Sequence, residues 1–442
     1  KQKTAYEIPK RDWSSDVCSS DLVAATTGDA DMVRVLAELG PGVDPAQSNQ
    51  VNRALWLEGW PAKLRLIAEA LGKLERGAQA LTMQELASRA GMSPANLYRY
   101  FEGKDALLAF DWDGKALWQT AFAAEKPGKH RNGSGCNSSP VTNGKLIFAY
   151  FKSGQLAAVD LGGKVHWQAN LTERFGKDTL YWDYGTSPVL TERDVVVTLM
   201  HHGESWMAAF DQTTGAQRWK IARNYTTPTE NDHSYATPVV TRQAGREALL
   251  VWGAEHLTAH DAADGKELWS CGDFNPEGNR NWVAVSSFVL AGDLAIVPYG
   301  RGSRLHGIKL GGSGDVTSSH RAWTRKDTGT FVPSPVEYAG RIYLVRDRGE
   351  VECLDPATGK TLWSGSLPKS GANYYSSPSI ADGKIYAARE DGVVFVARAD
   401  AKFEVLSENN MGERVIASPV PVQNRLLLRG EKHLFCIASA AQ

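Results

Sequence analysis

Eleven residues of this chain have the types that bind a polar ligand or a peptide. They are Trp182, Asp183 and Tyr184; Asp232, His233 and Tyr235; Asn281 and Trp282; Tyr374 and Tyr375; and Arg414. Each group comes shortly before an apolar run. Indole and phenol rings supply contact area, and carboxylate, amide and guanidinium groups supply orientation. Loops are polar in any fold, and Asp and Asn also serve turns. His201 and His202 with His233 suggest a metal, but no third ligand follows at a fixed spacing, so they read as surface or turn histidines. The five cysteines, Cys18, Cys136, Cys271, Cys353 and Cys436, form no CxxC pair. This excludes a zinc ribbon or a thioredoxin-type motif and leaves buried free thiols.

A repeat must position these groups. "AFDWDGKALW", "AAVDLGGKVHW", "AAFDQTTGAQRW", "TAHDAADGKELW" and "ECLDPATGKTLW" end at Trp118, Trp167, Trp219, Trp269 and Trp363. Each reads apolar-x-Asp, a Gly turn, then Trp. Trp323 closes a longer variant, and Phe403 takes the place of Trp in "ARADAKFEV". Between them, Ser-Pro or Thr-Pro opens an apolar run at Pro140, Pro188, Pro238, Pro335, Pro378 and Pro419, with Ser286 to Phe288 filling the remaining gap. The spacing is 48 and 50 residues early, then 43 and 41 late. That period fits four short strands per unit, as in a propeller blade. Pro at the first residue of an inner strand costs no ladder bond. Asn143, Ala291, Ala339 and Asp382 open hairpin turns, and Asp160, Asp211, Asp261 and Asp355 can bond the backbone of the Gly turn that follows each. Trp near the outer strand packs between neighbouring blades. The loops entering the inner strands then gather the eleven candidate residues at one mouth of a channel.

Bulk numbers agree with a globular protein. Of 442 residues, 42% are hydrophobic and 22% charged, and the net charge of −1 gives no overall pull toward nucleic acid or anionic lipid. No run of 18 apolar residues suggests a transmembrane helix.

Residues 109–442, with "GGSGDVT", "FVPSPV", "YYSSPSIADGKIYAAREDGVVFV" and "LLLRGEKHLFCI", resemble the PQQ-like repeat family of quinoprotein-type β-propellers. The resemblance implies an all-β fold of seven four-stranded blades, natively eight, in an exported, monomeric protein of the periplasm or cell envelope. One outer strand at Trp118 precedes the seven Pro-marked starts. It is expected either as the remnant of a first blade or as a strand closing the seventh. Dehydrogenases of this family hold PQQ between a stacking Trp and, in many members, a vicinal disulfide, with Ca²⁺ on the quinone and an Asp as base. Here no two cysteines are adjacent, and no Ca²⁺ ligand set or base maps onto the chain. PQQ and Ca²⁺ are therefore implied by the resemblance alone. The reading is a non-catalytic scaffold for a protein or small polar ligand; the alternative is a PQQ-dependent alcohol or sugar dehydrogenase.

The N-terminal quarter reads differently. Trp13 to Leu22 fits the codons TGG AGT TCA GAC GTG TGC TCT TCC GAT CT, which resemble a sequencing adapter, as does Lys1 to Ile8. Residues 1–22 are thus expected to be non-biological and disordered. Residues 23–60 weakly resemble one ankyrin helix pair, with Met32, Val35, Leu36 and Leu39 on one helix face. Over 61–108, Thr82 and Glu85 form a capping box, Ala90-Gly91 a turn, and Ser93-Pro94 a helix start. "LASRAGMSPANLYRYFEGKDALL" resembles the DNA-binding segment of TetR-type repressors. The resemblance implies Ala95 and Asn96 at base edges and Tyr98, Tyr100 and Lys104 on phosphates. A third reading follows: a DNA-binding regulator, cytoplasmic if the fusion near Leu108 exists in a cell. The helical ligand-binding domain of that family is absent after Leu108.

Overall fold

The computed structural model describes residues 5–6, 34–35, 104–124, 126 and 137–438. Seven sheets follow one another, and within each blade the consecutive strands form an antiparallel meander. We number the blades by their strands: blade 1 covers 141–170, blade 2 189–222, blade 3 239–271, blade 4 289–325, blade 5 336–366, blade 6 379–410 and blade 7 420–438. The expected all-β, seven-bladed propeller is what the chain forms.

Local chemistry sets each blade. Pro140, Pro188, Pro238, Pro335, Pro378 and Pro419 each stand one residue before an innermost strand, and Phe288 does so in blade 4. The first hairpin then turns through left-handed residues, such as Ala339 (φ 51°) with Gly340 (φ 72°), and Asp382 (φ 50°) with Gly383 (φ 64°). Two positive φ values in a two-residue loop match the twist of the flanking strands. The second hairpin brings the chain to the third strand, which ends at Asp160, Asp211 or Asp261, or just before Asp355. Oδ1 of these residues accepts the backbone N–H of Gly162, Thr213, Ala263 and Ala357 at 2.9 to 3.0 Å, as the sequence leads one to expect.

The tryptophans join blades. Trp118 Nε1 donates to Leu161 O, Trp167 to Gln212 O, Trp219 to Ala262 O, Trp323 to Pro356 O and Trp363 to Asp400 O, all in the next blade's turn. The turn glycine makes room for the ring. A Cβ on Gly215 would lie 2.5 Å from Trp167, and one on Gly163 2.6 Å from Trp118. Trp269 departs from the rule and donates to Gln243 Oε1 in its own blade. Phe403 does not occupy the Trp position. Ser407 pairs with Val396 beside the bulge where other blades place Trp. Phe403 sits in the receiving turn of blade 6, against Trp363 and Gly365.

Ser and Thr before the prolines form a belt. Ser139 N–H donates to Ser187 Oγ, Ser187 to Thr237 Oγ1, Thr237 to Ser287 Oγ, Ser287 to Ser334 Oγ, Ser334 to Ser377 Oγ and Ser377 to Ser418 Oγ, at 2.9 to 3.1 Å. Each amide at the start of one blade is thus satisfied by the hydroxyl of the next. The motif is Ser/Thr-Pro for two reasons, then: proline sets the strand start, and the hydroxyl ties neighbours.

The belt stops between Ser418 and Ser139, where the strands Lys104–Phe110 and Ala116–Ala124 form a two-stranded sheet. Ala109 faces Trp118 beside a bulge, as Ala158 faces Trp167 in blade 1. This pair is the outer half of a further blade. Leu107 packs on Ile147, Ala149 and Phe151 of blade 1, while Trp112 packs on Leu427 and Cys436 of blade 7. The expected single strand at Trp118 is therefore a hairpin, and it does not pair with blade 7.

Three N-terminal expectations change. Lys104 to Leu108, read as the end of the helix-turn-helix, lie in a strand, because pairing with Ala116–Ala124 overrides the helical preference of "KDALL". Arg34–Val35, expected in a helix, pair in parallel with Trp112–Asp113. Ala5–Tyr6, expected to be disordered, pair with Cys436 and Ile437 as the fourth strand of blade 7. An edge strand offers unpaired backbone groups that a short segment can satisfy. Ala95, Asn96, Tyr98 and Tyr100 lie outside the described residues.

Candidate functional site

The loops entering the inner strands share one face with the hairpins between second and third strands. Side chains from the two sets bond each other around the ring. Lys152, in the blade 1 hairpin, forms a buried ion pair with Asp183, in the loop entering blade 2. His202 Nδ1 lies 3.1 Å from Asp232 Oδ2. Asn231 and Asn275 both donate to Glu255 Oε1, at 2.6 and 2.7 Å. Arg301 donates to Asn281 O and lies 4.4 Å from the Phe331 ring. Asp347 accepts the N–H groups of Phe331 and Val332. Arg414 Nη2 lies 3.3 Å from Glu390 Oε2.

The eleven candidates divide on this face. Trp182 is exposed, and its N–H donates to Tyr235 Oη at 3.1 Å. Trp282 is half-buried; its N–H donates to Asn231 Oδ1 at 2.7 Å and its ring meets Tyr299 edge-on. Asn281 is exposed with φ 60°. Tyr375 is half-buried and accepts from Asn373 Nδ2 at 2.9 Å. His233 is buried, and burial holds its imidazole below the ordinary histidine range.

Two candidates are core residues. Tyr184 is 4% exposed, packs edge-on against Tyr150 and donates to Thr198 O at 2.7 Å. Burial pushes its hydroxyl pKa well up, so it stays protonated. Tyr374 is 1% exposed and lies among Leu367, Val393 and Phe395. Neither reaches the face. Asp183 is likewise enclosed and serves the ion pair.

The histidines separate as well. His202 is exposed, but His201 is buried, with Nδ1 accepting from Thr179 N and Nε2 against Glu204 O. Among the described residues, no three His, Cys, Asp or Glu side chains gather to hold a metal ion. Cys271, Cys353 and Cys436 are single, buried thiols on separate blades. Lying on separate blades, these three thiols do not form the vicinal pair that the family resemblance implies for many PQQ-holding members.

Sequence reasoning missed the second hairpins. Lys152, Glu255, Arg301, Asp347 and Glu390 lie in or beside these turns and are not among the eleven residues singled out by type and spacing. A charged residue beside each turn was the available signal. Tyr181 was missed too; it is the most exposed large apolar residue on the face at 63%, stacked edge-on with Trp182 at 5.1 Å.

No helix among the described residues is long and apolar enough to cross a membrane. Residues 103–365 and 301–428 match the family described as outer membrane protein assembly factor BamB. Residues 74–109 match bacterial regulatory proteins of the tetR family, so 103–109 fall within both matches. BamB of Yersinia pestis is 22% identical over 334 residues, which is 74% of this chain and 78% of that protein. BamB of Salmonella typhimurium is 27% identical over 206 residues, 46% of this chain and 44% of that protein. The crystal structure of BamB from Moraxella catarrhalis superposes with a TM-score of 0.54 at 16% identity, covering 75% of this chain and 91% of that one. A europium-containing methanol dehydrogenase superposes at 0.58 with 12% identity, covering 73% and 78%. At such identities the solved structures share a fold and nothing finer. The family match extends over most of the chain and reaches into every blade: the chain belongs to the family of the outer membrane protein assembly factor BamB.

Proposed function

We propose that this chain is a binding scaffold of the bacterial cell envelope that docks a protein segment on the loop face of its propeller. The observation that supports this most is the state of that face. Three ion pairs tie its loops to its hairpins, Lys152 with Asp183, His202 with Asp232 and Glu390 with Arg414. The exposed large apolar side chains on it are an aromatic pair, Tyr181, 63% exposed, and Trp182, 42% exposed. A rigid aromatic pair on loops held by hydrogen bonds suits protein recognition, since its contact area is gained at little conformational cost. The relatives named as assembly factors support the envelope setting.

The test uses the full chain behind an export signal, in a bacterium whose own BamB is deleted. The reading expects outer-membrane protein levels to be restored, and restoration to fail for the Tyr181→Ser, Trp182→Ser double variant at equal abundance. A folded, exported chain that restores nothing would overturn it.

The dehydrogenase reading rests on fold likeness at 12% identity. It expects dye reduction that requires added PQQ and Ca²⁺. The regulator reading rests on the match over 74–109. It expects salt-sensitive, sequence-selective duplex binding, and equal affinity for all duplexes would remove it.

A further inference from the structure

Blades 3 and 5 carry the same outer-strand triplet in the same register. Leu268-Trp269-Ser270 and Leu362-Trp363-Ser364 each place Trp opposite a small third-strand residue, Ala259 or Cys353, beside a bulge. In blade 3 this strand is not the edge. Gly314–Asp315, from the long connection inside blade 4, adds to it in parallel, with Gly314 beside Trp269 and Asp315 beside Ser270. Val316 N–H donates to Ser270 O at 2.8 Å, and Gly272 N–H donates to Thr317 Oγ1 at 2.8 Å. Val316 is 3% exposed and belongs to the apolar cluster against which Leu268 packs.

In blade 5 the strand Thr361–Ser366 ends the sheet, and Leu362 is 50% exposed. The strand has no charge and no proline. The outer strands of blades 2, 4 and 6 carry such protection, in Arg218 and Lys220, in Arg321 and Arg325, and in Glu408, while that of blade 1, Val165–Asn170, has only His166. Charges on an edge discourage strand addition, and an uncharged open edge invites it.

We propose that the outer edge of blade 5 is a strand-addition site for an extended segment of a partner protein. The segment enters in parallel and has the residue order of Gly314 to Thr317: small, acidic, β-branched, hydroxyl. The β-branched residue covers Leu362, its N–H donates to Ser364 O, and the hydroxyl accepts Ser366 N–H. This site lies on the rim and does not depend on the loop-face reading.

The test is amide hydrogen exchange of the full chain with a millimolar synthetic peptide, Gly-Gly-Ser-Gly-Asp-Val-Thr-Ser-Ser. The expected result is at least threefold slower exchange across 361–366. That slowing is expected to vanish in Leu362→Lys, persist in Leu406→Lys, and fail for a peptide with Asp in place of Val. Leu362 is exposed, so its replacement leaves the fold intact. No slowing at millimolar peptide, or equal slowing in Leu362→Lys, would overturn the proposal. Concentration-dependent dimerisation that slows the same amides without peptide would overturn it too, by assigning the edge to a second copy.

Discussion

Thr237 Oγ1 accepts the amide hydrogen of Ser187 at 3.1 Å, across the boundary between blades 3 and 2. This bond is one link of the belt that closes the inner ring. Thr237→Val keeps the shape and removes the acceptor, leaving the Ser187 N–H without its partner. It is expected to lower stability by about 1 kcal/mol in urea unfolding, and Thr237→Ser to lower it by much less. Equal stability of the Val variant would mean that water replaces the hydroxyl and the belt contributes nothing.

Gly215 and Gly245 both have positive φ, 70° and 78°, but differ in surroundings. A Cβ at 215 would meet the Trp167 ring at 2.5 Å; one at 245 would meet nothing within 4 Å. Gly245→Ala is expected to cost about 1 kcal/mol from backbone strain alone. Gly215→Ala adds overpacking and is expected to cost about 1–3 kcal/mol more. The comparison by thermal or urea unfolding isolates the inter-blade latch from the turn that carries it.

Two buried histidines predict acid sensitivity. Burial, with Arg223 nearby, holds His260 down to about 4, and burial with Arg321 holds His306 down to about 3. Both are neutral in the folded ring, whereas in the unfolded chain each titrates near the ordinary value of about 6.5. Below that value the unfolded chain binds more protons, so stability falls as pH falls, and the loss levels off only below each folded value. Urea unfolding from pH 7.5 to 4.5 is expected to show this decline, and His260→Asn to make it shallower.

The Trp, Asp and Pro marks of the blades were legible because each acts locally and repeats at a nearly fixed period. Asp211 bonds Thr213, two residues away, whatever the neighbouring blade does. The candidate site was less legible. In "WDYG" and "NYYSSP" aromatics one or two residues apart differ in burial: Trp182 is exposed and Tyr375 half-buried, while Tyr184 and Tyr374 fill the core. No local feature of the sequence says which of Tyr374 and Tyr375 turns inward. The junction misled for another reason. "KDALL" suits a helix by propensity, and only the strand Ala116–Ala124 beside it makes it extended. The belt was half legible: proline announced the strand start, but the serine before it acquires its role from a residue 41 to 50 positions away.

The docking face is tested most directly by a photo-reactive phenylalanine analogue at position 182 in the full chain, expressed with an export signal in an envelope-bearing bacterium, with adducts identified by mass spectrometry. The account predicts one dominant adduct with a protein of outer-membrane assembly, lost on Tyr181→Ser. No such adduct from a folded, exported chain, or the same adducts from a control position at Leu117 on the rim, would contradict it.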